Sequence, residues 1–216
     1  MRQYLFLTAL IFGIGIASPS DARPVSYPDA WTTMISNNGD MNSVHIHYTP
    51  TINYSIGLRA EYRRDEQYGL TTIQLNNLLK RWNMPDAQAN FYLKSGAGFA
   101  YSDYADYDQK TDLAGFTGIA LDWENRRYFT SYENRYIHAG EIARGYTQTA
   151  RVGVAPYIGD YGDLHTWLML EVEHKPTDPD DQYTVTPLVR LFKDVHLVEA
   201  GISNHGDVLF NWVMRY

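Results

Sequence analysis

"LFNWVMRY" closes the chain at residues 209–216, with Phe210, Trp212, Met214 and Tyr216 at every second position. Asn211 and Arg215 stand between them. A period of two sends alternate side chains to opposite faces of a strand. Here one face stays apolar to the last residue, whereas chain ends are commonly polar and loosely ordered. The segment reads as a strand with hydrocarbon on one side.

The same period recurs upstream. In "INYSIGLRAEYRR" (52–64), Ile52, Tyr54, Ile56, Leu58, Ala60 and Tyr62 share one face, and Asn53, Ser55, Gly57, Arg59, Glu61 and Arg63 share the other. A helix would smear both sets around its circumference. "HTWLMLEVEHK" (165–175) and "AQANFYLKSGAGFAY" (87–101) alternate in the same way. Turn signals divide the chain into strands near 30–36, 43–49, 52–63, 68–82, 87–102, 112–123, 127–138, 144–158, 163–175, 182–192, 195–203 and 207–216. That is about twelve antiparallel strands, with ten the alternative. "TTIQLNNLLKRW" is the segment nearest to a helical pattern, and it too is assigned to a strand.

The start of the chain has a different character. "MRQYLFLTALIFGIGIASPSDA" (1–22) has a positive Arg2, an apolar run too short to span a bilayer, and small residues Ser20 and Ala22 before an expected cleavage point. It reads as a secretory signal peptide, which leaves residues 23–216 as one domain. That domain has no cysteine, hence no disulfide. Twenty-five acidic residues against 18 basic ones, with no basic patch, argue against a nucleic-acid partner. Tyrosine is abundant at 18, with 5 Trp and 8 Phe. After residue 22 no apolar run is long enough for a transmembrane helix. Alternating strands escape that test, because their two faces average out.

If both termini share one side, one set of connections is expected to be tight: "TPT", "NMPD", "ENR", "GDYGD" and "KD". The opposite set is expected to be longer and more polar: "NNGDMN", "SDYADYDQKTD", "HAGEIAR" and "KPTDPDDQ", with "RRDEQ" and "NHG" as short exceptions. Leader, alternation and aromatic last strand together resemble the bacterial outer-membrane β-barrel proteins. That resemblance implies a closed antiparallel transmembrane barrel in the outer membrane of a Gram-negative bacterium. It also implies that Phe210, Trp212, Met214 and Tyr216 form a strand read by the barrel assembly machinery. Periplasmic chaperones and outer-membrane lipids are then the expected partners. Tyr216 stands where Phe is more usual. A soluble β-sandwich is the competing architecture.

On the barrel reading, the faces away from lipid fill the interior. They would place Arg59, Glu61, Lys94, Arg127, Glu133, Arg135, Arg151, Glu171, Glu173, Arg190, Glu199 and Arg215 in the lumen, with Asp122 beside them. Both signs occur in similar number. Confined charges persist only when paired, hydrogen-bonded or wetted. Two roles fit: an ion-pair lattice packing a structural barrel, or a narrow channel with a mixed-charge constriction.

Two further chemistries are considered. His45 and His47 share a strand face, and Met41, His165 and Met169 lie on inward faces. Imidazole with thioether suits copper, so a copper or other divalent metal site is one alternative, with no cofactor the default. A lipid hydrolase is the other. It would need a nucleophile, a base and an acid together. "SNHGD" (203–207) supplies Ser203, His205 and Asp207, but turns attract the same residue types, and no catalytic residue is assigned. Tyr48, Tyr62, Trp82, Tyr101, Trp123, Tyr128, Tyr136, Tyr157 and Trp212 fall where interfacial aromatic girdles lie.

Overall fold

The computed structural model describes residues 24–160, 162–178 and 182–216. The expected leader, 1–22, lies outside them. The strands are β1 (Ala30–Asn37), β2 (Met41–Thr51), β3 (Tyr54–Arg63), β4 (Tyr68–Asn83), β5 (Ala87–Ser102) and β6 (Thr111–Asn125). They continue with β7 (Tyr128–Ala139), β8 (Ala143–Val154), β9 (His165–Lys175), β10 (Gln182–Lys193), β11 (His196–Ile202) and β12 (Val208–Arg215). One 3-10 turn, Ala105–Tyr107, interrupts the β5–β6 connection.

Every strand pairs antiparallel with its sequence neighbours, and β12 pairs with β1 to close the barrel. The seam runs from Thr32 opposite Arg215 to Asn37 opposite Phe210. Beyond it, Trp31 N donates to Tyr216 O at 2.8 Å and Tyr216 N donates to Trp31 O at 3.0 Å. Closure leaves no sheet edge unpaired, the condition for strands to cross a bilayer. Among the described residues no helix is long and apolar enough to do so.

Polarity is inverted relative to a soluble sandwich. Leu113 is 70% exposed and Ile73 62%, while Glu61 is 5% exposed and Asn76 1%. Outward apolar side chains therefore need hydrocarbon, and the inward faces are largely polar. Trp31, Tyr48, Trp82 and Tyr128 ring the end that carries both termini, here the terminal mouth. Tyr62, Tyr101, Tyr136 and Tyr183 ring the far mouth.

The one strand end misjudged by several residues is that of β8. It stops at Val154, not near 158, because Ala155 turns inward and is buried and Pro156 has no N–H for the ladder. The connection 155–164 is then the longest in the barrel, although it lies on the side expected to have only tight turns. Tyr157 pins it by donating to Leu164 O at 2.5 Å.

The interior also has apolar patches. Tyr68, Leu70, Ala100, Phe116, Ile137 and Ala139 cluster towards the far mouth. Ala155, Trp167, Met169, Leu188 and Leu209 cluster towards the terminal mouth.

Candidate pore interior

Period two on β3 turns Arg59, Glu61 and Arg63 into the lumen together. The Glu61 carboxylate is wholly buried. It accepts from Arg59 Nε at 2.7 Å and from Arg135 Nη1 at 2.8 and 3.0 Å, with Arg63 Nε at 3.6 Å. Arg135 comes from β7, four strands round the barrel, so this group braces the lumen across its width. Its guanidinium lies 3.9 Å from the Phe116 ring centroid, a cation–π placement. Nearby, Lys94 on β5 donates to Glu133 on β7 at 2.6 Å.

A second group crosses the other half. Glu199 on β11 accepts from Arg190 Nε at 2.7 Å, Arg151 Nη1 at 3.1 Å and Asn211 Nδ2 at 2.7 Å. Arg151 also pairs with Glu171. Charge-assisted bonds of this kind are what hold ions in a confined interior.

At the far mouth, Lys175 ends β9 and pairs with Asp40 in the β1–β2 turn, so the contact ties opposite walls. Glu173 stands 3.7 Å from the same ammonium. Burial opposes ionisation of Asp40, but Lys175 outweighs it and holds the carboxyl below its ordinary range. Burial and the hydrogen bond with Asp40 push neighbouring Asp65 upward.

These groups border a series of spaces. A cavity of about 310 Å³ reaches from Pro24 near the terminal mouth to Asn38 and Met41 near the far mouth. It shares Glu124 with a 280 Å³ space at the terminal mouth. At the other end it shares Asn38, Glu171 and Glu173 with a 20 Å³ constriction, room for about one water. The constriction in turn shares Asp40 with a 420 Å³ vestibule. Spaces thus succeed one another along the barrel, and the smallest of these four adjoins Asp40.

No family profile and no curated protein matches the sequence. Solved structures do match by shape. The KdgM porin in complex with disordered oligogalacturonate superposes with a TM-score of 0.50 at 11% identity, over 87% of this chain and 98% of that one. OccK8 (OprE) of Pseudomonas aeruginosa gives 0.44 at 8%, over 82% and 57%. The NalP translocator domain of Neisseria meningitidis gives 0.44 at 8%, over 86% and 85%. The chain has the fold of a small bacterial outer-membrane β-barrel. Closed barrels with lipid-facing exteriors of this kind belong to the Gram-negative outer membrane.

The outer-membrane barrel places most of the charged residues assigned to its interior on inward faces. Arg127 is the exception: it lies exposed in the β6–β7 turn. Its strand begins one residue later than expected, so it has no place in the alternation.

The five candidate copper ligands do not all come together. His45 and His47 are adjacent, with ring centroids 4.5 Å apart. Met41 Sδ lies 4.0 Å from Arg59 Nη2. His165 and Met169 sit on β9, five strands round the barrel, His165 against Phe192 and Met169 within the Trp167 cluster. No group of three or more His, Cys, Asp or Glu able to hold a metal occurs among the described residues.

Nor is "SNHGD" arranged for hydrolysis. Ser203 Oγ accepts from the backbone N of His205 and of Asp207, both at 3.1 Å, and lies 3.3 Å from Asp207 Oδ2. The His205 ring instead faces Tyr183 O at 3.3 Å. The hydroxyl is organising a turn.

Sequence reading missed the Asp40–Lys175 tie, which joins residues 135 apart. It also missed a polar ladder on the lipid face, where Tyr132 Oη donates to Gln148 Oε1 at 3.0 Å and Gln148 Nε2 meets His174 Nδ1 at 2.8 Å. His174 stacks on Tyr183 at 4.0 Å. No local pattern links those residues, and only cross-strand register shows that they satisfy one another.

Proposed function

We propose that the barrel is a non-enzymatic, narrow channel for water and small polar solutes, with a mixed-charge lumen. The observation that carries this reading is the succession of spaces along the barrel, lined in part by charged side chains. Charged, hydrogen-bonded walls favour water over vacuum, so such a space is wet. The 20 Å³ constriction limits passage to small species.

KdgM is named with an acidic oligosaccharide, oligogalacturonate. In this chain Arg59, Arg135, Arg151 and Arg190 are each committed to a glutamate. A polyanion would have to displace those pairs, whereas a small neutral or cationic solute would not. That favours small polar solutes over acidic polymers. Outer-membrane lipids cover the belt, and we assign the outward aromatic face of β12 to recognition by the assembly machinery, after periplasmic chaperones have delivered the chain. Nucleic acid has no place in this scheme.

Single-channel recording in a planar bilayer tests the reading, with a heat-modifiable gel shift to verify folding. Steady, salt-dependent steps are expected. Silence from folded barrels would make the same ion pairs a structural lattice and remove the channel.

A further inference from the structure

The terminal mouth is not bare. Residues Pro24–Pro28 precede β1 and run inward from it. Asp29 adopts a left-handed backbone conformation (φ 64°), which Asp tolerates better than most residues, and this reverses the chain at the barrel wall. Asp29 N donates to Thr49 O at 2.9 Å, and Tyr48 Oη donates to Asp29 Oδ1 at 2.6 Å, so the reversal is fixed to β2.

From there the segment crosses the opening. Ser55 on β3 donates to Pro24 O at 2.7 Å. Val25 is 1% exposed and packs against Tyr92 on β5 and Ala120 on β6, with Leu78 of β4 alongside. In a ring of twelve strands, β6 is nearly opposite β1. The four residues from Val25 to the reversal at Asp29 reach at most about 14 Å, and the contacts with Tyr92 and Ala120 show that Val25 stands well inside the ring. Pro24 thereby becomes part of the wall of the central cavity.

The hold is light. Among the described residues it rests on one buried aliphatic side chain and one side-chain hydrogen bond, and the Ser26 hydroxyl is buried without a partner there. A buried hydroxyl that lacks a partner regains water when the segment leaves, which favours release. We propose that Pro24–Pro28 is a strap that covers the terminal mouth and that its release opens the lumen to water-borne solutes. The proposal rests on the lumen being a conduit. Glu124 lines both the central cavity and the space at the terminal mouth.

The chain has no cysteine, so Ser131→Cys, on the wall of the central cavity, introduces a single thiol. Its rate of modification by a bulky water-soluble maleimide is compared in folded barrels with the native strap, with Val25→Asp and with Ser55→Ala. Val25→Asp puts a charge into the pocket packed by Tyr92, Ala120 and Leu78, and Ser55→Ala removes the bond to Pro24 O together with the one that Asn76 Nδ2 donates to Ser55 Oγ at 2.9 Å. At least tenfold faster labelling is expected with Val25→Asp, and a smaller rise with Ser55→Ala. Equal rates in all three backgrounds would overturn the strap. Conductance of the same variants separates the two readings. Larger steps in Val25→Asp support both. Faster labelling with electrical silence keeps the strap and removes the channel. Parental conductance with unchanged labelling keeps the channel and removes the strap.

Discussion

Glu61 is one carboxylate facing three guanidiniums, and its neutralisation has a predictable cost. Glu61→Gln keeps the shape but leaves Arg59, Arg63 and Arg135 without their shared counter-charge. Removing one partner of a buried ion pair costs about 3–5 kcal/mol, and the low end applies because these side chains keep some exposure. The expected result is a lower urea midpoint in detergent, by about 3 kcal/mol of unfolding free energy. Bilayer reversal potentials should also shift towards anions. An unchanged midpoint would mean that the cluster is already satisfied by water. Gly57 makes a second residue-scale case. It pairs with His47, and a Cβ built on it would lie 2.0 Å from Ile46 O and 2.4 Å from His47 Cα. Those are backbone atoms that cannot step aside, so Gly57→Ala should abolish the heat-modifiable folded species. Arg59 and Glu61 were legible as a shared inward face because alternation alone sets it. Arg135 could be assigned inward but not to Glu61, since no local pattern links residues 74 apart across a lumen.

Strands were more legible than connections, for a physical reason. A strand repeats its period over ten or more residues, and each repeat reinforces the last. A connection has no period, so its reading rests on one or two turn residues. The β8–β9 segment "APYIGDYGDL" carried apolar residues in places a strand would allow, and only the inward tuck of Ala155 shows that the ladder has ended. "PVSYPD" (24–29) likewise has neither helical nor strand period, and nothing local marks it as a segment that enters the lumen. Connections are also where pH acts. The Asp40 carboxyl titrates below its ordinary range in the folded barrel, so the stability it contributes is whole above about pH 4 and is lost as the pH falls through the folded value. Protonation releases Lys175 beside the 20 Å³ constriction. Single-channel conductance should therefore rise as the pH is lowered below about 4, and Asp40→Asn should conduct at that higher level already at pH 7. A flat profile in the native chain would show that the tie does not limit passage.

At the scale of the molecule, one pairing differs in kind from the other eleven. Each of those joins neighbours in sequence, whereas β1 meets β12 only after the rest of the chain has been laid down. Bringing distant segments together carries the largest loop-closure entropy, so the seam is expected to form late. Tyr216 sits at its end with two roles that can be separated. Its backbone exchanges both hydrogen bonds with Trp31. Its ring faces outward, more than half exposed, with the hydroxyl 3.3 Å from Thr33 Oγ1. Tyr216→Ala keeps the backbone bonds and removes the ring. Deleting residues 212–216 removes the seam from Thr32 to Ile35 as well. If the outward aromatic face is an address for the assembly machinery, Tyr216→Ala should refold in detergent as the native chain does yet reach the outer membrane several-fold more slowly in cells. The deletion should fail in both settings, because a barrel without its seam exposes unpaired N–H and C=O groups to lipid at several kcal/mol each. Equal loss of refolding and of assembly in Tyr216→Ala would instead make the ring a structural part of the seam, and recognition would have to lie in Phe210, Trp212 and Met214.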